Sequence, residues 1–316
     1  MKIILIIIYF GEWPVWFPAF LQSCKYNPDV DWLFFTDCPI PETQINNVNF
    51  IPFTIKEFNE LASHKLDFPI SLSAPYKVCD FRPCYGLVFE EYLANYDFWG
   101  HCDLDIIWGQ IRTFITDNIL LNYDIISARK HNLCGHFTLY RNTSFTNTLF
   151  REKPNYQAML QSEQSFAFDE TQMKPVVQRL EQQKRLKVYW PKFLLNFAHQ
   201  ISEAPSFLGE FKDRWYWERG KLYERGERNN RQDEIMYLHF MTWKKTLNKC
   251  SFDESNPSEA FYISYFQISN TQFTMEPIWV RLNYFLNYFL KKFIKVALSK
   301  KTIIRKIIPR KGIRKL

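Results

Sequence analysis

Tyr96-Asp97-Phe98-Trp99-Gly100-His101-Cys102-Asp103-Leu104-Asp105-Ile106-Ile107-Trp108-Gly109 decides how the chain reads. An apolar run leads into two carboxylates and an apolar run leads out. Where a strand gives way to a turn, alternate side chains share a face, so Asp103 and Asp105 can both leave the sheet while Leu104 points inward. Carboxylates this close repel each other and lose hydration unless a cation lies between them. Hard oxygen ligands suit Mg²⁺ or Mn²⁺, and Mg²⁺ sites commonly combine one or two carboxylates with substrate phosphates. The stretch therefore predicts a place for a metal-bound diphosphate. An Asp-x-Asp triplet also arises in ordinary surface turns. The β-like approach, the aromatic flanks and the returning Ile106-Ile107-Trp108-Gly109 set this one apart.

Upstream, strand and helix signals alternate. Ile3–Tyr9 is an apolar run that reads as a strand buried on both faces; Gly11-Glu12 ends it too early to span a bilayer. Residues 13–26 read as a loop entering a helix, and Asp31–Asp37 and Val48–Phe53 as two further strands. Thr54 with Glu57 three residues on predicts a capping box opening a helix over 55–64. This alternation predicts an open α/β sheet, whose ligands bind at the carboxyl ends of the strands. No Gly-x-Gly-x-x-Gly or Walker loop occurs, so dinucleotide and P-loop readings have no support. A helix from about 75, broken at Arg82-Pro83, then leads to the Asp-x-Asp strand. Arg82 suits a bidentate phosphate or carboxylate contact, with a salt bridge to Asp80 or Glu90 as the plain alternative.

Downstream, strands are expected at 124–128, 134–142 and 187–190, and helices at 155–165 and 171–183. Residues 214–223 read as a hairpin turning at Arg219-Gly220, and 234–245 as a last strand ending in a loop. Asp169 and Glu170 form a second carboxylate pair at the edge of a helix. Acids there can serve as a general base or can simply suit the helix dipole.

The 316 residues are 47% hydrophobic and 18% aromatic, which excludes general disorder. Seven cysteines without a Cys-x-x-Cys pair point to reduced thiols. The formal charge of +7 belongs to one end. Twelve basic and no acidic residues follow Glu276, so residues 1–276 hold 28 basic against 33 acidic groups, a net −5. A folded body of that sign does not suit nucleic acid. From Pro277, the apolar series Ile278, Leu282, Phe285, Phe289, Phe293 and Val296 repeats at helical spacing with Lys and Arg on other faces. This predicts a basic amphipathic helix lying on an anionic membrane, each basic residue contributing about 1 kcal/mol. Packing on the folded body with a solvated basic end is the alternative.

The order of Ile3–Tyr9, Asp80-Phe81-Arg82-Pro83, the Asp103-Leu104-Asp105 stretch, Gly135-His136-Phe137 and Tyr237-Leu238-His239-Phe240 resembles GT-A glycosyltransferases of bacterial surface-polysaccharide (O-antigen or capsule) clusters, over roughly residues 1–250. The resemblance implies a GT-A, Rossmann-like α/β fold with a mixed central sheet, a catalytic domain at 1–250; 251–276 is then expected as a linker or peripheral segment and 277–316 as the basic amphipathic membrane-associating tail. It implies Mn²⁺ or Mg²⁺ on Asp105 and His239, with Asp103 on the metal or the donor ribose. A core histidine among aromatics is the plain alternative for His239. Tyr9, Phe10, Gly11 and Asp37 would meet the base or ribose of a nucleoside-diphosphate sugar, expected as a UDP-hexose, and Lys77, Arg82, Lys244 or Lys245 its diphosphate. Asp169 or Glu170 would be the base in an inverting reaction; a retaining reaction would need none. The implied reaction moves a hexose to a lipid-linked or growing glycan at the inner face of the cytoplasmic membrane. A non-catalytic nucleotide- or glycan-binding protein is the other reading. A two-metal phosphohydrolase would want more ligands than the chain offers.

Overall fold

The structure, a computed structural model, describes residues 1–129, 133–191, 215–225, 232–241, 244–245, 247–272 and 286. Apart from Leu286, the expected membrane-associating segment 277–316 lies outside the described residues. No helix among the described residues is long and apolar enough to cross a membrane.

The first eight strands are β1 (Ile3–Tyr9), β2 (Val30–Thr36), β3 (Val48–Pro52), β4 (Phe98–Cys102), β5 (Ile106–Trp108), β6 (Ile125–Ser127), β7 (Phe137–Arg141) and β8 (Val188–Tyr189). Seven of them form the central sheet in the order β3-β2-β1-β4-β7-β6-β8. The pairs β1–β2, β1–β4, β2–β3 and β6–β8 are parallel, while β7 runs against both β4 and β6. The fold is therefore α/β with a mixed central sheet, as expected. Strand order runs outward from β1 in both directions, so the carboxyl ends of β1 and β4 flank the point where ligands of open α/β sheets bind.

Period-two alternation along β1 splits it between two cores. Ile4 and Ile6 join Leu33, Phe35, Phe58 and Ala62 on one face. Ile3, Leu5 and Ile7 join Trp32, Phe34, Phe17 and Phe20 on the other. Burial on both faces explains why β1 is a continuous apolar run. The two layers come from α1 (Phe17–Lys25), with Pro18 in its first turn, and α2 (Ile55–Leu66). The capping box is present: Glu57 N–H donates to Thr54 Oγ1 at 3.2 Å, and Thr54 N–H donates to Glu57 Oε2 at 2.7 Å. The helix expected at 75 is a 3₁₀ helix, Pro75–Cys84, containing Pro83, followed by a short α turn at Tyr85–Val88.

The remaining strands are β9 (Trp215–Glu218), β10 (Lys221–Arg225), β11 (Gln232–Ile235), β12 (Tyr237–His239), β13 (Lys249–Cys250), β14 (Ala260–Ile263) and β15 (Gln267–Ser269). Six form a second sheet in the order β11-β10-β9-β14-β15-β13. The β9–β10 hairpin turns at Arg219 (φ 44°) and Gly220 (φ 85°), a left-handed pair of the kind tight hairpins need. Two expectations are corrected. The last strand expected within 234–245 is two strands parted at Met236, Gln232–Ile235 and Tyr237–His239, because β11 pairs in the second sheet while β12 pairs antiparallel with β5. The segment expected as a linker or peripheral segment, 251–276, carries β14 and β15 in its described part, 251–272, and their Phe261, Ile263 and Ile268 are buried with Trp215 and Trp217. Ala19, Ile107 and Leu238 share that third core, which joins the second sheet to α1, β5 and β12.

Candidate metal and nucleotide site

The Asp-Leu-Asp turn is pinned at each residue. Asp103 N–H donates to the His136 carbonyl at 3.0 Å. Trp16 Nε1–H donates to the Leu104 carbonyl at 2.9 Å. Phe240 N–H donates to the Asp105 carbonyl at 3.0 Å. Leu104 is buried, as the alternation predicts, and the acids on either side face a cavity of about 670 Å³ beyond the ends of β1 and β4. The β5–β12 ladder sets His239 opposite Ile106, beside Asp105.

Three side chains from distant parts of the chain then converge. His239 Nε2 stands 3.3 Å from Asp105 Oδ1 and 3.8 Å from Asp103 Oδ2. One ligand atom from each of the three lies within 4.8 Å of the others. Both ring nitrogens of His239 are buried, and neither makes a hydrogen bond among the described residues. A buried polar atom without a partner is costly, and a divalent cation between Nε2 and the two carboxylates would satisfy it. The donor set, two carboxylates and an imidazole, could hold a divalent cation. His136 stacks on His239 with ring centroids 4.2 Å apart and is itself held by the Tyr237 hydroxyl, 2.9 Å from its Nε2. Burial first, and neighbouring charges second, push His136 well below the usual histidine range, so it packs as a neutral ring.

The remaining charges are paired. Arg82 Nη2 donates to Asp103 Oδ1, and its Nη1 donates to Asp169 Oδ2 at 3.0 Å. Lys244 Nζ donates to Asp105 Oδ2 at 2.8 Å. Burial raises Asp105, but His239 and Lys244 outweigh it and hold its carboxyl at about 2. Burial pushes Asp169 up to about 6 against the pull of Arg82, with Glu170 and Asp103 adding to the rise. Glu170 accepts from Gly135 N–H through Oε1 at 2.7 Å, and its Oε2 has no partner among the described residues.

The expected nucleotide contacts fall into two groups. Tyr9, Phe10, Arg82, Asp103 and Lys244 line the cavity, as do Asp105, Asp169, Glu170 and His239. Gly11 and Asp37 are exposed and do not line the cavity; Asp37 Oδ1 accepts from Gly11 N–H at 2.7 Å and so fixes the chain as it leaves β1. Lys245 is exposed and does not line the cavity. Lys77 is corrected outright. It is 1% exposed, and its three ammonium donors go to Asp80 Oδ2, the Met159 carbonyl and the Gln164 carbonyl at 2.7, 2.8 and 2.8 Å. Asp80 also accepts from the N–H groups of Phe166 and Phe168, so the pair anchors the segment before Asp169. Neither Asp80 nor Glu90 pairs with Arg82; Glu90 pairs with Lys65 instead. Asp169 and Glu170 sit in a π turn, Phe168–Gln172, preceding the helix Met173–Gln182.

Trp16 and Arg129 line the same cavity and carry no motif of their own in the sequence, and Gly135, of the Gly135-His136-Phe137 stretch, lines it too. A second hollow of about 450 Å³ lies at the opposite, amino-terminal ends of β1 and β4, where Asp31 is already engaged by the Tyr96 hydroxyl at 2.7 Å. The chemistry-bearing side chains gather at the first.

Fold and site together define an α/β protein with an Asp-Asp-His group that could hold a metal ion where its strand order diverges. The profile of a family of unknown function, DUF6625, matches residues 5–276, and the chain belongs to that family. No curated protein matches it significantly. Among solved structures it is similar to the galactosyltransferase LgtC in complex with donor and acceptor sugar analogs, with 11% identity, a TM-score of 0.40, and 76% of this chain and 87% of that one covered. An active-site mutant of LgtC gives 11%, 0.41 and the same coverage. Mouse xyloside xylosyltransferase 1 in its apo form gives 12%, 0.29, and 60% and 77%.

Proposed function

We propose that this chain is a metal-dependent glycosyltransferase of GT-A type, moving a hexose from a nucleoside-diphosphate sugar to a hydroxyl of a growing glycan. The observation that carries the reading is the convergence of Asp103, Asp105 and His239 on one point at the cavity floor. Asp103, Asp105 and His239 would hold a Mn²⁺ or Mg²⁺ ion, which when bound would supply Lewis-acid stabilisation to a departing nucleoside diphosphate. Tyr9 and Phe10, at the end of β1, offer ring faces to the base. Lys244 brings an ammonium group to the edge of the metal ligands, where a diphosphate oxygen can accept from it. Arg82 is fixed on the cavity wall by two acids and presents its guanidinium to the donor. Asp169 is committed to Arg82, which leaves Glu170 Oε2 to take the proton of the attacking hydroxyl. General-base assistance of this kind is worth about 10²–10⁴-fold.

The finer reading is a UDP-hexose donor, with galactose in pyranose or furanose form as the first candidate, and a lipid-linked acceptor of the O-antigen or capsule kind at the inner membrane face. It is supported by the motif order and by the basic composition of 277–316. The test is a panel of nucleoside-diphosphate sugars followed by mass spectrometry with and without Mn²⁺. One UDP-hexose should be consumed only with metal, and Asp105→Ala should abolish this. Binding of UDP with no turnover on any donor or acceptor would favour the non-catalytic binding protein.

A further inference from the structure

Gly135-His136-Phe137 enters the function only through His136, yet Gly135 lies against three of the site's charged groups. Only Gly11 and Gly220 among the described glycines have positive φ, so Gly135 is not there for backbone freedom. Space is what it supplies. A Cβ on Gly135 would lie 2.6 Å from Asp169 Oδ2 and 2.8 Å from Arg82 Nη1, closer than real Cβ atoms approach, and 3.4 Å from Glu170 Oε1. Both backbone polar groups of Gly135 are also used. Its N–H holds Glu170 Oε1 at 2.7 Å, and its carbonyl accepts from Nδ1 of the buried His101 at 3.0 Å.

We propose that Gly135 is the positioning residue of this acidic cluster: its bare Cα lets the Arg82–Asp169 ion pair close over it while its N–H fixes one oxygen of Glu170. His101, from β4, clamps the following peptide and so ties the cluster to the strand that delivers Asp103. A methyl group at 135 displaces the carboxylate of Asp169 or the guanidinium of Arg82 by a few tenths of an ångström or more and tilts Glu170 with them. The consequence for turnover rests on the role proposed above for Glu170; the packing consequence does not.

Gly135→Ala, Asp169→Ala and the double variant test this in the full chain. Gly135→Ala should lower UDP-hexose turnover about 10²-fold, the usual cost of ångström-scale misplacement. Calorimetric affinity for UDP with Mn²⁺ should fall by no more than about tenfold, the scale of one weakened charge-assisted hydrogen bond from Arg82, because the three metal ligands are not among the atoms nearest the added methyl group. A general loss of structure would lower both. Gly135→Ala should also lower the melting temperature by about 5 °C, and by less than half of that where Asp169→Ala has removed the colliding carboxylate. Unchanged turnover in an active enzyme, or an equal melting penalty in both backgrounds, overturns the proposal. If the parent chain turns over no nucleotide sugar, the functional reading fails and the melting comparison alone decides the role of Gly135.

Discussion

Lys244 places its Nζ 2.8 Å from Asp105 Oδ2, on the carboxylate whose other oxygen faces His239 Nε2 at 3.3 Å. Asp103 is arranged the same way, with Arg82 on Oδ1 and His239 3.8 Å from Oδ2. Each acid thus keeps one oxygen against a fixed cation and turns the other toward the imidazole. This limits each carboxylate to one ligand oxygen, and it places two positive charges at the rim where a diphosphate would lie.

Lys244 should matter to the nucleotide more than to the fold. It is half-buried, and its pairing with Asp105 holds it above the usual lysine range although burial works the other way. Lys244→Met should weaken UDP binding in the presence of Mn²⁺ by about tenfold, the scale of one charge-assisted hydrogen bond, and in Mn²⁺ should lower the melting temperature less than Lys77→Met does, because a cation bound by Asp105 would still offset its charge. Calorimetry with the parent chain and the variant side by side reads this directly.

Lys77 should behave in the opposite way. Lys77→Met leaves Asp80 buried without its counter-ion, a loss of about 3–5 kcal/mol by comparison with other broken buried pairs. Denaturant unfolding should show that loss, while the folded fraction keeps its affinity for UDP and Mn²⁺.

The pH dependence of stability should carry the mark of Asp169. In the folded chain its carboxyl titrates at about 6 and in the unfolded chain near the ordinary 3.8, so between those values the folded state holds the extra proton. The stability that proton contributes is present below about pH 4 and is lost as pH rises through about 6. Asp169→Asn should flatten this part of the profile, measured as unfolding free energy against pH. An unchanged slope would show that the carboxyl titrates normally.

Much of this was legible in the sequence because the signals were local. The continuous apolar run of Ile3–Tyr9, the Thr54/Glu57 cap and the Arg219-Gly220 turn each specify their element through neighbours a few residues away. Asp103 and Asp105 could be read as a pair because alternation along one strand end places them. Lys77 misled because charge alone does not reveal whether an ammonium group is spent in the interior, and its three acceptors come from positions 80, 159 and 164. The break at Met236 was hidden for a related reason. Its cause is that β11 and β12 choose partners in different sheets, which no periodicity records. Trp16 gave no signal, and the role of Gly135 was not legible, because their work is a single hydrogen bond to a turn and an absent side chain.

The central claim is that Asp103, Asp105 and His239 hold the divalent ion on which a nucleoside diphosphate lands. Titrating UDP into the parent chain and into Asp105→Asn, each with Mn²⁺ and again with a chelator, tests it most directly. The parent chain should bind UDP only with Mn²⁺, and Asp105→Asn should lose at least about 100-fold in that affinity while melting normally. Equal UDP binding with the chelator present, or undiminished Mn²⁺-dependent binding by Asp105→Asn, would contradict the account.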